Sequence, residues 1–352
     1  MSKKVLVAMS GGVDSAVAAL LLKERGFELG GVTMKVWEDV KISTDSTPDQ
    51  NSIDAKAIAD TLGFPHHTVC LGEQFKTHVI DRFINDYVCG KTPNPCVECN
   101  KHIKFGELIK CTEKFGFDAI ATGHYARIVQ AENGKFLLKK ALDEKKDQSY
   151  FLWSIKKEFL PRICFPLGEL TKPQVREIAE ENGFSNAHRS DSQDICFIPN
   201  GEYASFIKNH SQQSFKHGDF TDINGNVIGK HEGLINYTIG QRKGLGVAFG
   251  KPMFVGGKDA DKNTVMLCTD EQLYTRALTA TDVNILTDEN FSTPARLWAK
   301  IRYRHEPAIA TVTKLEDGKL QVEFDIPQRA IAPGQSVVLY DEDTVVGGGI
   351  IC

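Results

Sequence analysis

Two groups of residues in this 352-residue chain have the types and spacing that chemistry requires. The first is a loop over residues 10–15, Ser-Gly-Gly-Val-Asp-Ser, which lies between an apolar run and an Ala- and Leu-rich segment. The second consists of Cys96, Cys99 and Cys196, of which the first two form a C-x-x-C pair. The loop predicts anion binding, and the cysteines predict metal or thiol chemistry. Both depend on the elements that hold them in place.

The loop is predicted to bind phosphate. An apolar strand, a Gly-Gly bend and a helix start place free backbone N–H groups at a helix N-terminus, where they suit an anion. Gly11 and Gly12 allow close approach because they carry no Cβ. Ser10 and Ser15 add hydroxyl donors, and Asp14 is suited either to orient the loop or to hold a magnesium ion. A glycine turn without a ligand is the alternative.

The surrounding pattern predicts a doubly wound parallel sheet in the first part of the chain. Strand patterns at residues 30–37, 66–70 and 118–125 alternate with helix patterns at residues 52–62, 103–115 and 171–182. Ligands bind beyond the carboxyl ends of such strands, so Gly123 and His124 are expected at the same sheet edge as the loop. Pro93 and Pro95 predict a rigid extended loop over residues 90–101, with the following helix starting near Ile103.

Beyond about residue 203 the alternation ends. Residues 211–236 are polar and glycine-bearing, which is typical of a domain boundary, and residues 277–352 show short strands and turns that predict a small all-β barrel. We therefore predict three domains: an α/β domain over residues 1–205, a small linker domain over 206–274 and the barrel over 275–352.

The composition bounds the class of protein. Hydrophobic residues make up 41% and charged residues 25%, as in ordinary soluble proteins, and the net charge of −4 gives no overall basic signal for nucleic acid. No apolar run is long enough to cross a bilayer, and the N-terminal residues show no signal-peptide pattern, so we expect a cytoplasmic protein without a membrane partner. Nine cysteines in such a chain favour reduced thiols, a metal site or thiol chemistry.

Three functions fit the C-x-x-C pair. A disulfide-exchange pair prefers a helix start within a thioredoxin-like unit. Half of a structural zinc site needs a second Cys/His pair, for which Cys196 is the only obvious candidate. The third function is sulfur transfer, with one cysteine carrying sulfur and another resolving it. The spacing alone does not separate these three.

Several motifs, in order along nearly the whole chain, resemble those of the bacterial tRNA-specific 2-thiouridylases, in the pyrophosphate-loop ATP pyrophosphatase superfamily. They are the loop at residues 10–15, Thr-Pro-Asn-Pro-Cys-x-x-Cys-Asn-Lys at 92–101, Ala-Thr-Gly-His-Tyr at 121–125, Lys-Asp-Gln-Ser-Tyr at 146–150, Ser-Gln-Asp-Ile-Cys-Phe at 192–197, the glycine-rich segment 237–246, Arg-Tyr-Arg at 302–304 and Pro-Gly-Gln at 333–335. The resemblance implies an adenine nucleotide alpha hydrolase-like fold for the first domain.

The resemblance also implies a reaction, in which sulfur replaces the C2 oxygen of the wobble uridine in certain tRNAs. ATP, with Mg²⁺, adenylates that oxygen, Cys196 carries a persulfide from a sulfur-donor protein such as a cysteine desulfurase, and Cys99 attacks to free the sulfur and leave a Cys99–Cys196 disulfide. The implied ATP-binding residues are Ala8, Met9, Ser10, Gly11, Gly12, Val13, Asp14, Ser15, Met34 and Gly123.

The position of Cys96 departs from some family members, which carry an aspartate proposed as an acid or base. A thiol is weaker in that role, so either the proton transfer differs here or Cys96 is a metal ligand. An iron–sulfur cluster on Cys96, Cys99 and Cys196 is the alternative to persulfide chemistry.

The resemblance implies tRNA contacts at residues that otherwise have ordinary explanations, such as a turn histidine or solvated charges. These residues are Asn94, Pro95, Cys96, His124, Lys146, Asp147, Gln148, Arg302, Tyr303 and Gln335. Two other classes remain open at this point, a pyrophosphate-loop ligase acting on a small molecule and a zinc-stabilised RNA-binding protein.

Overall fold

A computed structural model describes residues 4–38, 41–42, 49–184, 186–187, 195–198, 201–211, 213–247 and 250–352. The chain forms two compact units. The first comprises Met1–Val79, Cys96–Gln193 and Asp341–Val346, and the second comprises Ile80–Pro95, Asp194–Tyr340 and Gly347–Cys352. Residues 192–194 of the motif that ends at Phe197 lie outside the described residues.

The secondary structure alternates in the first half of the chain and is mainly β in the second half. The strands in chain order are β1 Lys4–Ala8, β2 Glu28–Lys35, β3 Trp37–Glu38, β4 Lys41–Ile42, β5 His66–Cys70, β6 Ala119–Ala121, β7 Ala126–Gln130, β8 Phe136–Lys140, β9 Ile163–Cys164, β10 Gly218–Thr221, β11 Val227–His231, β12 Phe254–Asp259, β13 Thr264–Cys268, β14 Tyr274–Ile285, β15 Ala295–Lys300, β16 Ala308–Lys314, β17 Leu320–Arg329, β18 Ser336–Asp341 and β19 Thr344–Ile351. The α-helices are α1 Val13–Glu24, α2 Gln50–Leu62, α3 Gly72–Phe75, α4 Asp81–Val88, α5 Pro95–Glu98, α6 Leu108–Phe115, α7 Lys172–Glu181 and α8 Tyr203–His210. Lys76–Ile80 and Cys99–Glu107 are π-helical, and Ser149–Phe151, Lys157–Arg162, Leu234–Asn236 and Glu271–Leu273 are 3-10 turns.

The first unit is built on a parallel sheet with the strand order β5-β2-β1-β6-β9. The chain leaves β1 toward β2 on one side and reaches β6 on the other, so the strand order reverses between β1 and β6. Ligands bind at such a switch point, beyond the carboxyl ends of the strands. The loops after β1 and β6 both begin there. The predicted doubly wound parallel sheet is confirmed.

The core of this sheet explains why β1 is apolar throughout. Val5, Leu6 and Val7 are fully buried, as expected for a parallel strand covered on both faces. Val5, Val7 and Met9 pack with buried residues of α1, α2 and α7. Eight of the 12 residues of α1 are buried, among them three alanines, whose small side chains allow the helix to lie close to the sheet.

The segment around the C-x-x-C pair differs from the prediction. Helix begins at Pro95 and continues through Phe115, with a π-helical stretch from Cys99 to Glu107 in the middle. The predicted extended loop over residues 90–101 is therefore wrong beyond Asn94. The reason is that proline disfavours helix for the residue before it, whereas proline itself is well suited to the first helical position.

The second unit contains two β structures. A four-stranded sheet has the order β11-β10-β13-β12, and its core includes the fully buried Phe220, Val255, Val265 and Leu267. The polar stretch at residues 211–236, predicted as a boundary, supplies β10 and β11 of this sheet.

The C-terminal strands form the predicted barrel. Their order is β14-β17-β16-β15-β18-β19, and β14 also pairs with β19, which closes the sheet. Closure leaves no free edge in this ring of strands. No helix among the described residues is long and apolar enough to span a membrane.

Candidate active site

The glycine loop lies between the end of β1 and the start of α1. Gly11 has a φ of 70°, and a Cβ at this position would lie 2.9 Å from the Asn51 carbonyl oxygen, so glycine is required both for conformation and for space. The Ser10 amide donates to Ser15 Oγ at 3.2 Å, and Ser15 Oγ donates to the Gly12 carbonyl at 3.0 Å. These bonds hold the loop at the first turn of a 12-residue helix, whose N-terminal N–H groups suit an anion.

A charged cluster fixes the orientation of Asp14. Lys172 Nζ donates to both carboxylate oxygens at 2.8 and 2.9 Å, and the Tyr125 hydroxyl donates to Oδ1 at 2.8 Å. Of the two roles predicted for Asp14, these contacts fit the orientation of the loop. The magnesium role of Asp14 stays a prediction. In the described part of the chain, no group of three or more His, Cys, Asp or Glu side chains could hold a metal ion.

Gly123 follows β6 and lies against the glycine loop. A Cβ at this position would be 2.8 Å from the Asp14 carbonyl carbon and 2.9 Å from the Ser15 nitrogen. The loops that follow β1 and β6 are therefore in direct contact, as expected at the switch point. Met34, the other residue outside the loop that is predicted to bind ATP, is half-buried on β2, two residues beyond the position paired with Ala8.

His124 is buried in a turn. Its Nδ1 lies 2.6 Å from Thr122 Oγ1, and its Nε2 lies 3.2 Å from Lys104 Nζ. The pKa of His124 is well below its ordinary value. Burial is the main cause, and the positive charge of Lys104 is the second. Because the ammonium can only donate, Nε2 accepts, and the ring proton on Nδ1 points to Thr122. His124 is thus a neutral side chain that holds Lys104, and its contact with tRNA stays a prediction.

The segment at residues 146–148 is also tied to its own unit. Asp147 is buried, and its Oδ1 accepts from the amides of Ala141 and Ser149 at 3.0 and 3.2 Å. The Gln148 side-chain oxygen accepts from the Tyr125 amide at 3.0 Å. Asp147 therefore organises the loop over residues 141–149, and Gln148 ties that loop to Tyr125. Lys146 is half-buried in the same turn.

The two cysteines of the C-x-x-C pair sit at the start of the helical segment. Cys96 is exposed, and Cys99 is half-buried at the beginning of the π-helical stretch. The neighbouring Asn100 donates to the Phe151 carbonyl at 3.0 Å, which anchors this turn. π-Helical turns are uncommon and often occur at functional sites.

Cys196 belongs to the second unit and is exposed on a short turn. The next residue, Phe197, is buried against Phe83 and Phe206, with ring centroids 5.6 and 5.2 Å apart. This aromatic anchor presents the thiol to solvent. The predicted Cys99–Cys196 disulfide stays a prediction.

Two of the residues predicted to bind tRNA shape the second unit from within. Gln335 Nε2 donates to the Thr92 carbonyl at 2.8 Å, and so supports the backbone that leads to Asn94 and Pro95. Arg302 donates to the carbonyls of Ile239 and Ala330.

The neighbouring Tyr303 lies beneath a cation. Its ring centroid is 5.7 Å from Lys300 Nζ. This arrangement places positive charge next to an aromatic ring, which suits contact with a nucleic acid.

Sequence reasoning missed Lys172 and Tyr125 as partners of the loop. Tyr125 belongs to the motif at residues 121–125 but is given no role of its own there, and Lys172 lies at the start of the predicted helix over residues 171–182. A lysine at a helix N-terminus opposes the helix dipole, and this anomaly was the available signal.

Together, the loop at the switch point and the closed C-terminal barrel define a protein of the pyrophosphate-loop class, with an α/β nucleotide domain joined to β domains. Family models match the chain nearly from end to end. They are described as a tRNA methyl transferase HUP domain over residues 3–200, a tRNA methyl transferase PRC-barrel domain over 204–269 and an aminomethyltransferase beta-barrel domain over 275–351.

Named relatives cover the whole chain. It is 47% identical to the tRNA-specific 2-thiouridylase MnmA of Clostridioides difficile, with 100% of this chain and 98% of that protein aligned. The MnmA proteins of Acetivibrio thermocellus and Lachnoclostridium phytofermentans are 46% and 44% identical, each with 99% of both chains aligned. The chain belongs to the tRNA-specific 2-thiouridylase family.

Proposed function

We propose that this protein is an ATP-dependent tRNA-uridine 2-sulfurtransferase. The observation that carries the proposal is the glycine loop at the start of α1, packed against Gly123 at the switch point of the sheet, in a chain that belongs to the 2-thiouridylase family. A helix N-terminus at this place can receive the pyrophosphate that leaves when ATP donates its adenylyl group. We place the reaction in the cytoplasm.

The first chemical step is adenylation. The C2 oxygen of the wobble uridine attacks the α-phosphorus of ATP, and the bond to the β-phosphate oxygen breaks to release pyrophosphate. The C2 oxygen then carries AMP and becomes a good leaving group. The contribution of this chain is to bind the polyphosphate through residues 8–15 and the adenosine near Met34 and Gly123, and Asp14 orients the loop.

The second step transfers sulfur. The terminal sulfur of a Cys196 persulfide, received from a sulfur-donor protein, attacks C2, and AMP leaves. The Cys99 thiolate then attacks Cys196 Sγ. The bond between Cys196 Sγ and the sulfur on C2 breaks, and a Cys99–Cys196 disulfide forms. The electron pair stays on the sulfur at C2, which becomes the 2-thio group. A thiol reductant restores both cysteines. The exposure of Cys196 on its turn supports access by a donor.

We propose that two groups of residues form the tRNA-binding surface, one by contacting the tRNA and the other by positioning its surroundings. Asn94, Pro95, Cys96, Lys146 and Tyr303 would contact the anticodon arm. The internal hydrogen bonds of His124, Asp147, Gln148, Arg302 and Gln335 support a positioning role for these five residues at the proposed tRNA-binding surface.

The test is tRNA thiolation by anaerobically purified protein with ATP and a chemical persulfide source. We expect one AMP for each 2-thiouridine formed, and at least a hundredfold loss of thiolation in Cys99→Ser and Cys196→Ser. Cys89→Ser is the matched control, because Cys89 is exposed, as Cys196 is, and has no predicted role, and it should retain full activity.

The cysteine variants also separate the two sulfur mechanisms. Loss of activity in Cys96→Ser as well, together with iron and sulfide bound to the wild type alone, would replace the persulfide with a cluster. AMP formation without any thiolated tRNA in the wild type would contradict the proposed function.

A further inference from the structure

Lys172 forms a partly buried ion pair with Asp14 at the glycine loop. Its side chain is only 8% exposed, whereas that of Asp14 is 33% exposed. The ammonium contacts both carboxylate oxygens and lies 5.8 Å from the centre of the Tyr125 ring. The Lys172 backbone amide donates to Asp143 Oδ2 at 3.0 Å, which fixes the start of α7.

The position of this lysine is unfavourable on its own. Burial removes the ammonium from water, and the first residue of α7 faces the positive end of a helix dipole. The contact with Asp14 compensates for both costs. A lysine is therefore held at this site by a carboxylate 158 residues away in the sequence.

The negative charge of Asp14 is also unfavourable at its position when it is not compensated. A carboxylate in the first turn of α1 stabilises that helix, but the same turn is the proposed pyrophosphate site. An uncompensated carboxylate there would repel a polyphosphate, since like charges in a partly buried site interact strongly.

We propose that Lys172 is a positioning residue for ATP, which acts through Asp14. It neutralises the carboxylate and, with Tyr125, holds it in one orientation, so that the N–H groups at the start of α1 meet the polyphosphate without a competing negative charge. This inference rests on the proposed ATP site and assigns no direct contact between Lys172 and ATP.

The test compares the effect of removing Lys172 with and without the charge of Asp14. ATP affinity is measured by isothermal titration calorimetry at constant magnesium concentration and without tRNA, in the wild type, Lys172→Met, Asp14→Asn and the double variant. We expect Lys172→Met to weaken ATP binding about ten- to a hundredfold in the wild-type background. In the Asp14→Asn background the same change should cost less than about threefold, because no charge is left to compensate.

Lys56→Met is the matched control. Lys56 forms an ion pair with Asp60 on α2, in which both side chains are 60% exposed, and its loss should change neither ATP affinity nor stability appreciably. Thermal unfolding of each variant separates a general loss of structure from a change in ATP affinity.

Two results would overturn the inference. One is a Lys172→Met protein that binds ATP as the wild type does, whatever its thermal stability. The other is an equal loss of affinity in both backgrounds, which would mean that Lys172 contacts the phosphates itself. If Lys172→Met alone does not fold, the ATP affinities of Asp14→Asn and the double variant still test the inference. A tenfold weaker affinity in the double variant would contradict it.

The proposed function is tested separately by the thiolation assay. A wild type that thiolates tRNA, alongside a Lys172→Met variant with normal ATP affinity, leaves the function standing and removes only this role of Lys172. A wild type that does not bind ATP removes both.

Discussion

Replacing Gly123 with alanine tests whether the loop after β6 sets the shape of the ATP site. The added Cβ would lie 2.8 Å from the Asp14 carbonyl carbon, 2.9 Å from the Ser15 nitrogen and 3.0 Å from Asp14 Cβ. Atoms at these distances overlap, and the nearest two belong to backbone, which cannot rotate away as a flexible side chain can. The start of α1 must therefore shift.

The magnitude follows from the cost of such overpacking, which is about 1–3 kcal/mol. If the shifted loop relieves this strain, ATP must restore the original position to bind, and the same free energy is lost from binding. The expected loss of ATP affinity is about 5- to 150-fold. If the loop does not shift, the overpacking strain remains in the folded protein and lowers its free energy of unfolding by about 1–3 kcal/mol.

The assay is ATP titration calorimetry without tRNA, combined with thermal unfolding of the same samples. Gly229→Ala is the matched control, because a Cβ on this β11 glycine would meet its nearest neighbour, a Phe220 ring carbon, at an ordinary 3.6 Å. A Gly123→Ala protein with both the ATP affinity and the thermal stability of the wild type would refute the reasoning.

Two further predictions concern residues whose contacts lie inside the first unit. The pKa of His124 is lowered well below 6.5 by burial and then by Lys104, so below about pH 6.5 the unfolded chain binds a proton that the folded chain does not. The free energy of unfolding should therefore fall as the pH decreases from about 7.5 to 5. In His124→Gln the stability should depend less steeply on pH, as measured by thermal unfolding between about pH 7.5 and 5. The same pH dependence in the variant and the wild type would contradict this prediction. Asp147→Asn should lower the free energy of unfolding by about 1–3 kcal/mol, because the buried Asp147 carboxylate accepts hydrogen bonds from Ala141 and Ser149. In chemical denaturation the exposed Glu144→Gln is its control, and equal stability of the two variants would show that Asp147 does not organise this loop.

The sequence was most informative where the signal was local. The glycine loop, its strand and its helix are contiguous, so the period of the apolar residues and the Gly-Gly bend were enough to predict them. The Asn133-Gly134 pair, which joins β7 to β8, is another such local signal, because Asn-Gly is typical of a hairpin turn. The helix from Pro95 was missed because proline disfavours helix at the residue before it, whereas proline itself fits the first helical position.

Contacts between distant residues could not be predicted in this way. Asp14 meets Tyr125 and Lys172, which are 111 and 158 residues away, and no periodic pattern encodes such a pairing. Similarly, nothing local distinguishes the buried Asp147 from the exposed charges beside it.

The α/β sheet, the C-terminal β-barrel, the glycine loop and the family could all be predicted from the sequence, because each depends on residues that are neighbours in the chain or on motifs in a fixed order. The electrostatic state of the site, in contrast, depends on how distant parts of the chain pack together. Parallel strands bring the loops after β1 and β6 together, and α7 adds Lys172 from a third place. The charge that Asp14 presents to a ligand is set by this packing, since a carboxylate is neutralised only by a cation within a few ångströms.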